Sequence, residues 1–330
     1  MSLYLCKTPL RIPLAGGGTD IPQYADLFEG YCISAAINKY SYIVIKKQLF
    51  SKKYYLKYSI SENVETLNQI KHPIFKAIFN KYDTKPGIEI MTFMDLPHSS
   101  GLGSSSSFTV GLIKSINEFL LNQSISSKKL SKESIEIERV NLNEAGGIQD
   151  QVIASYGGII EIFCKKNFDF RIKRMDIHSD ILKKLISNFS LFFTGKLRSS
   201  NDIQNIIKNN LKNEKLEYLH KIKSLAFQSK KFLINGDLDQ YGHLLNEHWI
   251  EKKKISKAIS FPRLDSAYLD AIKMGCLGGK LIGSGGGGFL LMYCPNKNTS
   301  INVEDHLNKK YNFKKVDFNF EFKGSSGTHI

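Results

Sequence analysis

The stretch Leu96-Pro97-His98-Ser99-Ser100-Gly101-Leu102-Gly103-Ser104-Ser105-Ser106-Ser107 decides how the rest of the chain is read. Its small residues let backbone come close to a ligand. Beyond it Phe108, Leu112, Ile116 and Phe119–Leu120 recur at helical spacing, so a helix begins at about the serines and runs to about residue 121. A glycine-rich turn feeding a helix N-terminus presents unpaired N–H groups and the positive end of the helix dipole. That combination is an anion site, most often for phosphate. Such turns also occur without any ligand. Neither G-x-x-x-x-G-K-[ST] nor the protein-kinase loop set is present in the chain, which excludes those two phosphate scaffolds.

Working outward, a strand is predicted at Ile88–Phe93, so the loop joins a strand to a helix, which strengthens the phosphate reading. Residues 3–12, Tyr31–Ile37, Tyr40–Lys47, Tyr54–Ile60, Ile159–Cys164 and Phe189–Phe193 also read as strands. Val316, Phe318, Phe320 and Phe322 alternate as in a half-buried strand. Helices are expected at Ile21–Phe28, Pro73–Lys81, Ser131 to about Val140, from Gln149, through Ile203–Ala226, and at Leu238–Lys254, Asp265–Met274 and 303–311. Strands and helices mix without a regular βαβ rhythm, which predicts an α+β fold. The charged, weakly patterned segment of about 165–185 marks a boundary, dividing the chain into 1–170 and 171–330.

The bulk properties narrow the classes. With 330 residues, 42% of them hydrophobic, the chain can bury a large core. The apolar run Phe289–Cys294 is too short to span a membrane, and the first residues lack the apolar core of a signal peptide. A soluble cytoplasmic protein is expected. Five scattered cysteines without C-x-x-C read as small core residues. The net charge of +15 is spread among Asn, Ile and Ser rather than gathered into a basic stripe, so nucleic acid is not the expected partner, though a phosphorylated substrate is favoured.

Two further glycine clusters accompany the first: Gly16-Gly17-Gly18, followed by Thr19 and Asp20, and Gly283-Ser284-Gly285-Gly286-Gly287-Gly288. Glycine clusters cost entropy on folding, and a shared polyphosphate site is a sufficient reason for three of them. The three segments, in order, resemble the motifs of the GHMP small-molecule kinases: Pro9 to Asp20 the first, Ser99 to Ser106 the second, Gly283 to Phe289 the third. Gly-Gly-Gly-Thr-Asp and Gln149-Asp150-Gln151 look most like the branch that phosphorylates the anomeric hydroxyl of sugars.

The resemblance implies two α+β domains with the active site in the cleft between them, ATP and Mg²⁺ as cofactors, and a small-molecule sugar phosphate as acceptor. The implied acceptor is a heptose 7-phosphate, converted to the 1,7-bisphosphate on the way to nucleotide-activated heptose for surface polysaccharide. An unphosphorylated sugar such as fucose, or a non-catalytic sugar- and ATP-binding regulator, are the alternatives. A homo-oligomer is compatible with the sequence.

Residue by residue, Ser100, Gly101, Leu102, Gly103 and Ser104–Ser107 would cradle the ATP phosphates. Ser105 and Glu138 resemble the Mg²⁺ ligands, with Glu136 as the rival carboxylate. Asp150 matches the aspartate that faces the acceptor hydroxyl, and Arg11 an arginine near the reacting phosphoryl group. Gly17, Gly18, Thr19 and Asp20 would meet the sugar, although Asp20 could equally cap the following helix. Gly285, Gly286 and Gly287 would close the site. Lys196 and Arg198 are candidates for the substrate's distal phosphate, or else solvated loop charges. His243 and His248 are five apart on a helix, too far round to share a metal, and are read as core or surface residues.

Overall fold

The computed structural model of the protein describes residues 3–197, 205 and 213–330. Two long antiparallel strands, β1 (Leu3–Ala15) and β2 (Gly30–Lys47), form the spine of the first sheet. β2 is long enough to change partners. Its first half pairs with β6 (Ile159–Cys164) and its second half with β5 (Ile88–Met94). The polar break at Asn38–Lys39 suggested two strands; it is the half-buried point where the partner changes, held by Asn38 through two hydrogen bonds with Asn319. Beyond β5 come β3 (Tyr54–Lys57) and β4 (Ser61–Val64), and beyond β6 comes β7 (Phe170–Arg174). β12 (Ser326–His329) returns to pair with β1. The second sheet is antiparallel, in the order β11 (Lys314–Val316), β8 (Phe189–Phe193), β10 (Phe289–Tyr293), β9 (Gly278–Leu281).

The helices divide between the sheets. α1 (Pro22–Phe28), α2 (Pro73–Lys81), α3 (Ser104–Ser115), α4 (Ser127–Ile135) and α5 (Gln149–Tyr156) belong to the first half. α6 (Ser179–Asn188), α7 (Asn213–Asn235), α8 (Leu238–Ile255), α9 (Pro262–Lys273) and α10 (Lys297–Tyr311) belong to the second. This is the expected α+β architecture. All five cysteines are free and buried, as small core residues should be.

A register shift between Pro9 and Leu10 decides what β1 presents to each layer. Before it, Tyr4 and Cys6 pack with Phe108, Leu112 and Ile116, on and just beyond α3. After it, Leu10, Ile12 and Leu14 pack instead with Tyr241, Phe289 and Leu291 of the C-terminal half. Across this step, where Asn38 and Lys39 of β2 have no partner on β1, the faces of β1 exchange. The exchange turns Arg11 toward α5 and seats both halves on one continuous core, to which Leu102 and Ile282 also belong.

Two expectations need correction. A boundary at 170/171 falls on the first residue of β7, which pairs with β6, and it assigns β12 to the wrong sheet. The alternation of Val316 to Phe322 is not one strand. Only Lys314–Val316 is a strand, and Phe320 makes an isolated bridge to Ile37 as the chain crosses between sheets. The segment of about 203–211, read as helical, lies largely outside the described residues.

Candidate active site

A cavity of about 300 Å³ lies where the two halves meet, lined by residues of all three glycine segments. Its N-terminal wall starts at the loop before α3. Gly103 caps α3 from the left-handed region, and the first intrahelical bond runs from the Ser107 amide to the Gly103 carbonyl. The amides of Ser104–Ser106 therefore have no acceptor within the helix and carry its positive dipole end. Ser104, Ser105 and Ser106 line the cavity with Gly101 and Gly103. Ser107 and Leu102 act behind this surface: the Ser107 hydroxyl donates to the Pro9 carbonyl, and the Leu102 carbonyl accepts from the Arg11 amide. Ser100 is buried, its hydroxyl without a hydrogen-bond partner among the described residues.

The third loop closes directly on this one. At Gly101 (φ +85°) a Cβ would lie 2.5 Å from the Ile282 carbonyl oxygen, and at Gly283 (φ +76°) one would lie 2.7 Å from Gly101 Cα. Both the backbone conformation and the approach require glycine at these two positions.

Arg11 ties the centre together. Its Nε and one Nη donate to the two Asp150 oxygens at 2.7 and 2.6 Å, a bidentate pair, and its other Nη donates to the Gly101 carbonyl. The Arg11 side chain is 5% exposed and that of Asp150 21%, and both line the cavity, with the aspartate the more open of the two.

Asp150 sits in the first turn of α5 between two glutamines that reach different acids. Successive helical residues project about 100° apart, so three neighbours address three directions. The Gln149 amide and side chain both donate to Asp20, and the Gln151 side chain donates to Glu138. Asp20 is buried, accepts also from the Gly18 amide, and does not cap α1, whose N-cap is Ile21. Burial pushes the Asp20 carboxyl up, with Asp150 adding to the rise and the Gln149 amide opposing it.

Glu138 is 1% exposed. Its Oε2 accepts from Ser106 at 2.8 Å and from Gln151, while its Oε1 is buried without a hydrogen-bond partner among the described residues. A buried carboxylate oxygen left open on a cavity wall fits a cation. Glu138 with a hydroxyl of the serine run would hold Mg²⁺, which keeps the rest of its coordination for water and phosphate. Ser105, expected beside Glu138, is exposed at the cavity rim; the hydroxyl that reaches Glu138 is that of Ser106, because α3 turns position 106 inward. Glu136, the rival, pairs with Lys81 at the surface. Nearby Glu144 is pushed up to about 7, by burial first and by Glu138 second, with Arg139 opposing.

Several expected residues stand elsewhere. Thr19 is structural: its hydroxyl donates to the carbonyls of Gly16 and Tyr31. Gly17 and Gly18 line the cavity with Asp20, whereas Gly285, Gly286 and Gly287 pack against the backbone of Ile259 and Lys196; Gly283 and Ser284 are the members of that loop that line the cavity. Lys196 is exposed, with its ammonium 4.5 Å from the centre of the Phe261 ring, and does not reach the cavity. Arg198 lies outside the described residues. The C-terminal wall is built instead by His248 and Lys252 of α8 and Lys280 of β9. The sequence reading missed Lys252, Lys280 and Arg139 and set His248 aside; Gln149 and Gln151 enter it only as part of the motif around Asp150, without a role of their own. For Gln149 and Gln151 the available signal was their adjacency to Asp150 at a helix start.

A phosphate loop, an open carboxylate and an arginine-held aspartate facing one cavity define a phosphoryl-transfer site of the small-molecule kinase class. Residues 68–158 match the GHMP kinases N terminal domain and residues 229–312 match GHMP kinases C terminal. The chain belongs to the GHMP kinase family. It is 35% identical to the D-glycero-alpha-D-manno-heptose 7-phosphate kinase of Campylobacter jejuni, over 98% of both chains. The crystal structure of a D-glycero-D-manno-heptose 1-phosphate kinase from Bacteroides thetaiotaomicron superposes with a TM-score of 0.81 at 27% identity, covering 99% of each chain. A putative sugar kinase from Campylobacter jejuni superposes with a TM-score of 0.80 at 31% identity, covering 99% of this chain and 98% of the other.

Proposed function

We propose that the protein transfers the terminal phosphoryl group of ATP to the anomeric hydroxyl of a heptose 7-phosphate, giving the 1,7-bisphosphate. The observation that carries this reading is the Arg11 bridge, which joins the acceptor-facing Asp150 to the first glycine of the phosphate loop. Phosphoryl transfer needs positioning and charge neutralisation more than covalent chemistry. The amides of Ser104–Ser106 and the helix dipole bind the nucleotide phosphates. Mg²⁺, when bound at Glu138, neutralises phosphate charge. Asp150 accepts a hydrogen bond from the attacking hydroxyl and orients it; Arg11 fixes that carboxylate and sits beside the path of the transferred group. An anomeric hydroxyl is more acidic than an ordinary alcohol, so a carboxylate held by a guanidinium is base enough. Asp20, with its Gln149 contacts, offers an acceptor to sugar hydroxyls.

The acceptor class is supported by the names of the two heptose phosphate kinases above. The proposed use of ATP as donor supports a cytoplasmic site for the reaction. Among the described residues no helix is long and apolar enough to cross a membrane. A second reading, an unphosphorylated sugar, draws on the position of Lys196 outside the cavity. Sugar-dependent ADP release in wild type, abolished in Asp150→Ala, is the test; turnover unchanged by that substitution refutes the role given to Asp150, and sugar binding without turnover in the wild type refutes the kinase reading and favours a binding regulator.

A further inference from the structure

The C-terminal wall of the cavity carries a buried basic cluster that the reaction as described does not use. His248 and Lys252 are four residues apart on α8, hence on one face of it, and Lys280 projects from the adjoining strand β9. All three are at least nine-tenths buried, and all three line the cavity. Lys280 donates to the Leu14 carbonyl at 3.1 Å, just before the first glycine cluster. Lys252 donates to the Gly283 carbonyl, where the third loop touches Gly101. Neither ring nitrogen of His248 has a hydrogen-bond partner among the described residues. A buried imidazole with both nitrogens open costs stability unless something else meets it.

We propose that His248, Lys252 and Lys280 form a phosphate-binding subsite, distinct from the amides of the serine loop. The cluster spans the gap between the nucleotide loop at Gly101 and the acceptor loop after Leu14. A phosphate seated there belongs either to the acceptor sugar or to the terminal position of the nucleotide, and both present the same dianionic, multi-acceptor chemistry. Burial first, and the neighbouring cations second, push His248 and Lys280 well below their ordinary values, and a bound phosphate would favour their charged forms again. The cavity carboxylates have other partners: Asp20 takes the Gln149 and Gly18 amides, Asp150 takes Arg11, and Glu138 takes Ser106 and Gln151, while Glu144 lies near Glu138 and Arg139. This subsite rests on the kinase reading above and supplies the phosphate contact that Lys196 does not.

The experiment is calorimetric binding to the full-length protein of two ligand pairs that differ by one phosphate: ADP against the non-hydrolysable analogue AMP-PNP, and heptose against heptose 7-phosphate. Wild type is compared with Lys252→Met, Lys280→Met and His248→Gln. Wild type prefers the phosphorylated member of one pair by at least tenfold, and Lys252→Met and Lys280→Met reduce that preference at least tenfold while leaving affinity for the other member within twofold. Loss confined to the sugar pair assigns the subsite to the acceptor; loss confined to the nucleotide pair assigns it to the terminal phosphate. Preferences in both pairs kept within twofold by all variants overturn the proposal. If Lys280→Met does not fold, the helix-borne Lys252→Met decides alone. Failure of the heptose reading shows separately, as a wild type that binds neither heptose while the nucleotide pair still reports on the cluster.

Discussion

The Arg11–Asp150 pair predicts an asymmetric response to mutation. Asp150→Asn leaves a guanidinium with a 5% exposed side chain holding one neutral acceptor where it had a bidentate carboxylate. Removing one partner of a buried pair costs about 3–5 kcal/mol. Because Asp150 opens onto the cavity, the lower end applies, about 3 kcal/mol. For a chain of this length that is a fall of roughly 4 °C in Tm, taking about 2.1 cal/mol/K per residue. Arg11→Met leaves the opposite residue charged, but with its side chain 21% exposed Asp150 can take water, and the cost is about 1–2 kcal/mol. The double variant costs less than the sum by about 2 kcal/mol, because no charge is then stranded. Denaturant midpoints and scanning fluorimetry measure all four proteins, and coupled ADP release measures activity. Each single variant loses roughly 10²–10³ in kcat/KM, through lost orientation of the acceptor or lost stabilisation of the transferring charge. A stability cost for Arg11→Met equal to or above that of Asp150→Asn, or simple additivity, refutes the reasoning.

Four further outcomes follow from the same geometry. Glu144, raised to about 7 in the folded protein, binds a proton there that the unfolded chain gives up near 4.5; its stabilising contribution is therefore full below about pH 4.5 and lost as the pH rises through 7, so Glu144→Gln gains about 1–3 kcal/mol over wild type at pH 8 and nothing at pH 4.5 in urea unfolding. Gln151→Leu removes a donor from Glu138 and raises the Mg²⁺ concentration for half-maximal activity roughly 10–100-fold, read from a metal titration at saturating ATP. Gly283→Ala puts a methyl group against Gly101 at positive φ and costs at least about 2 kcal/mol of stability, together with a raised KM for ATP, whereas Lys196→Ala leaves kcat/KM for the sugar phosphate within twofold.

Much of this site was legible before the fold was known. The loop at Gly101–Ser107 announces itself because backbone amides at a helix start need only small residues, a local property that sequence displays. Asp150 and Arg11 came from motif position. What remained hidden depends on long-range packing. The turning of Arg11 toward Asp150 depends on a register shift that the polar Asn38–Lys39 break marks as a gap between strands but not as a change of face. Lys196 lies in a loop after a strand, as a phosphate clamp could, but its ammonium stands over the Phe261 ring and does not line the cavity. Lys280 lies inside a short strand; the sheet buries it, and only the meeting of α8 with β9 shows that it stands with His248 and Lys252. The alternation of Val316 to Phe322 was real, yet the chain there bridges two sheets, where alternating burial arises without strand pairing.

The most direct measurement is ADP release with ATP and Mg²⁺ across heptose 7-phosphate, free heptose, fucose, galactose, mevalonate and homoserine, with phosphorus NMR of the product. Turnover with the 7-phosphate far above the rest, and a new anomeric phosphate resonance, is the predicted result. Turnover with a free sugar alone, or a phosphate added anywhere but the anomeric oxygen, contradicts it.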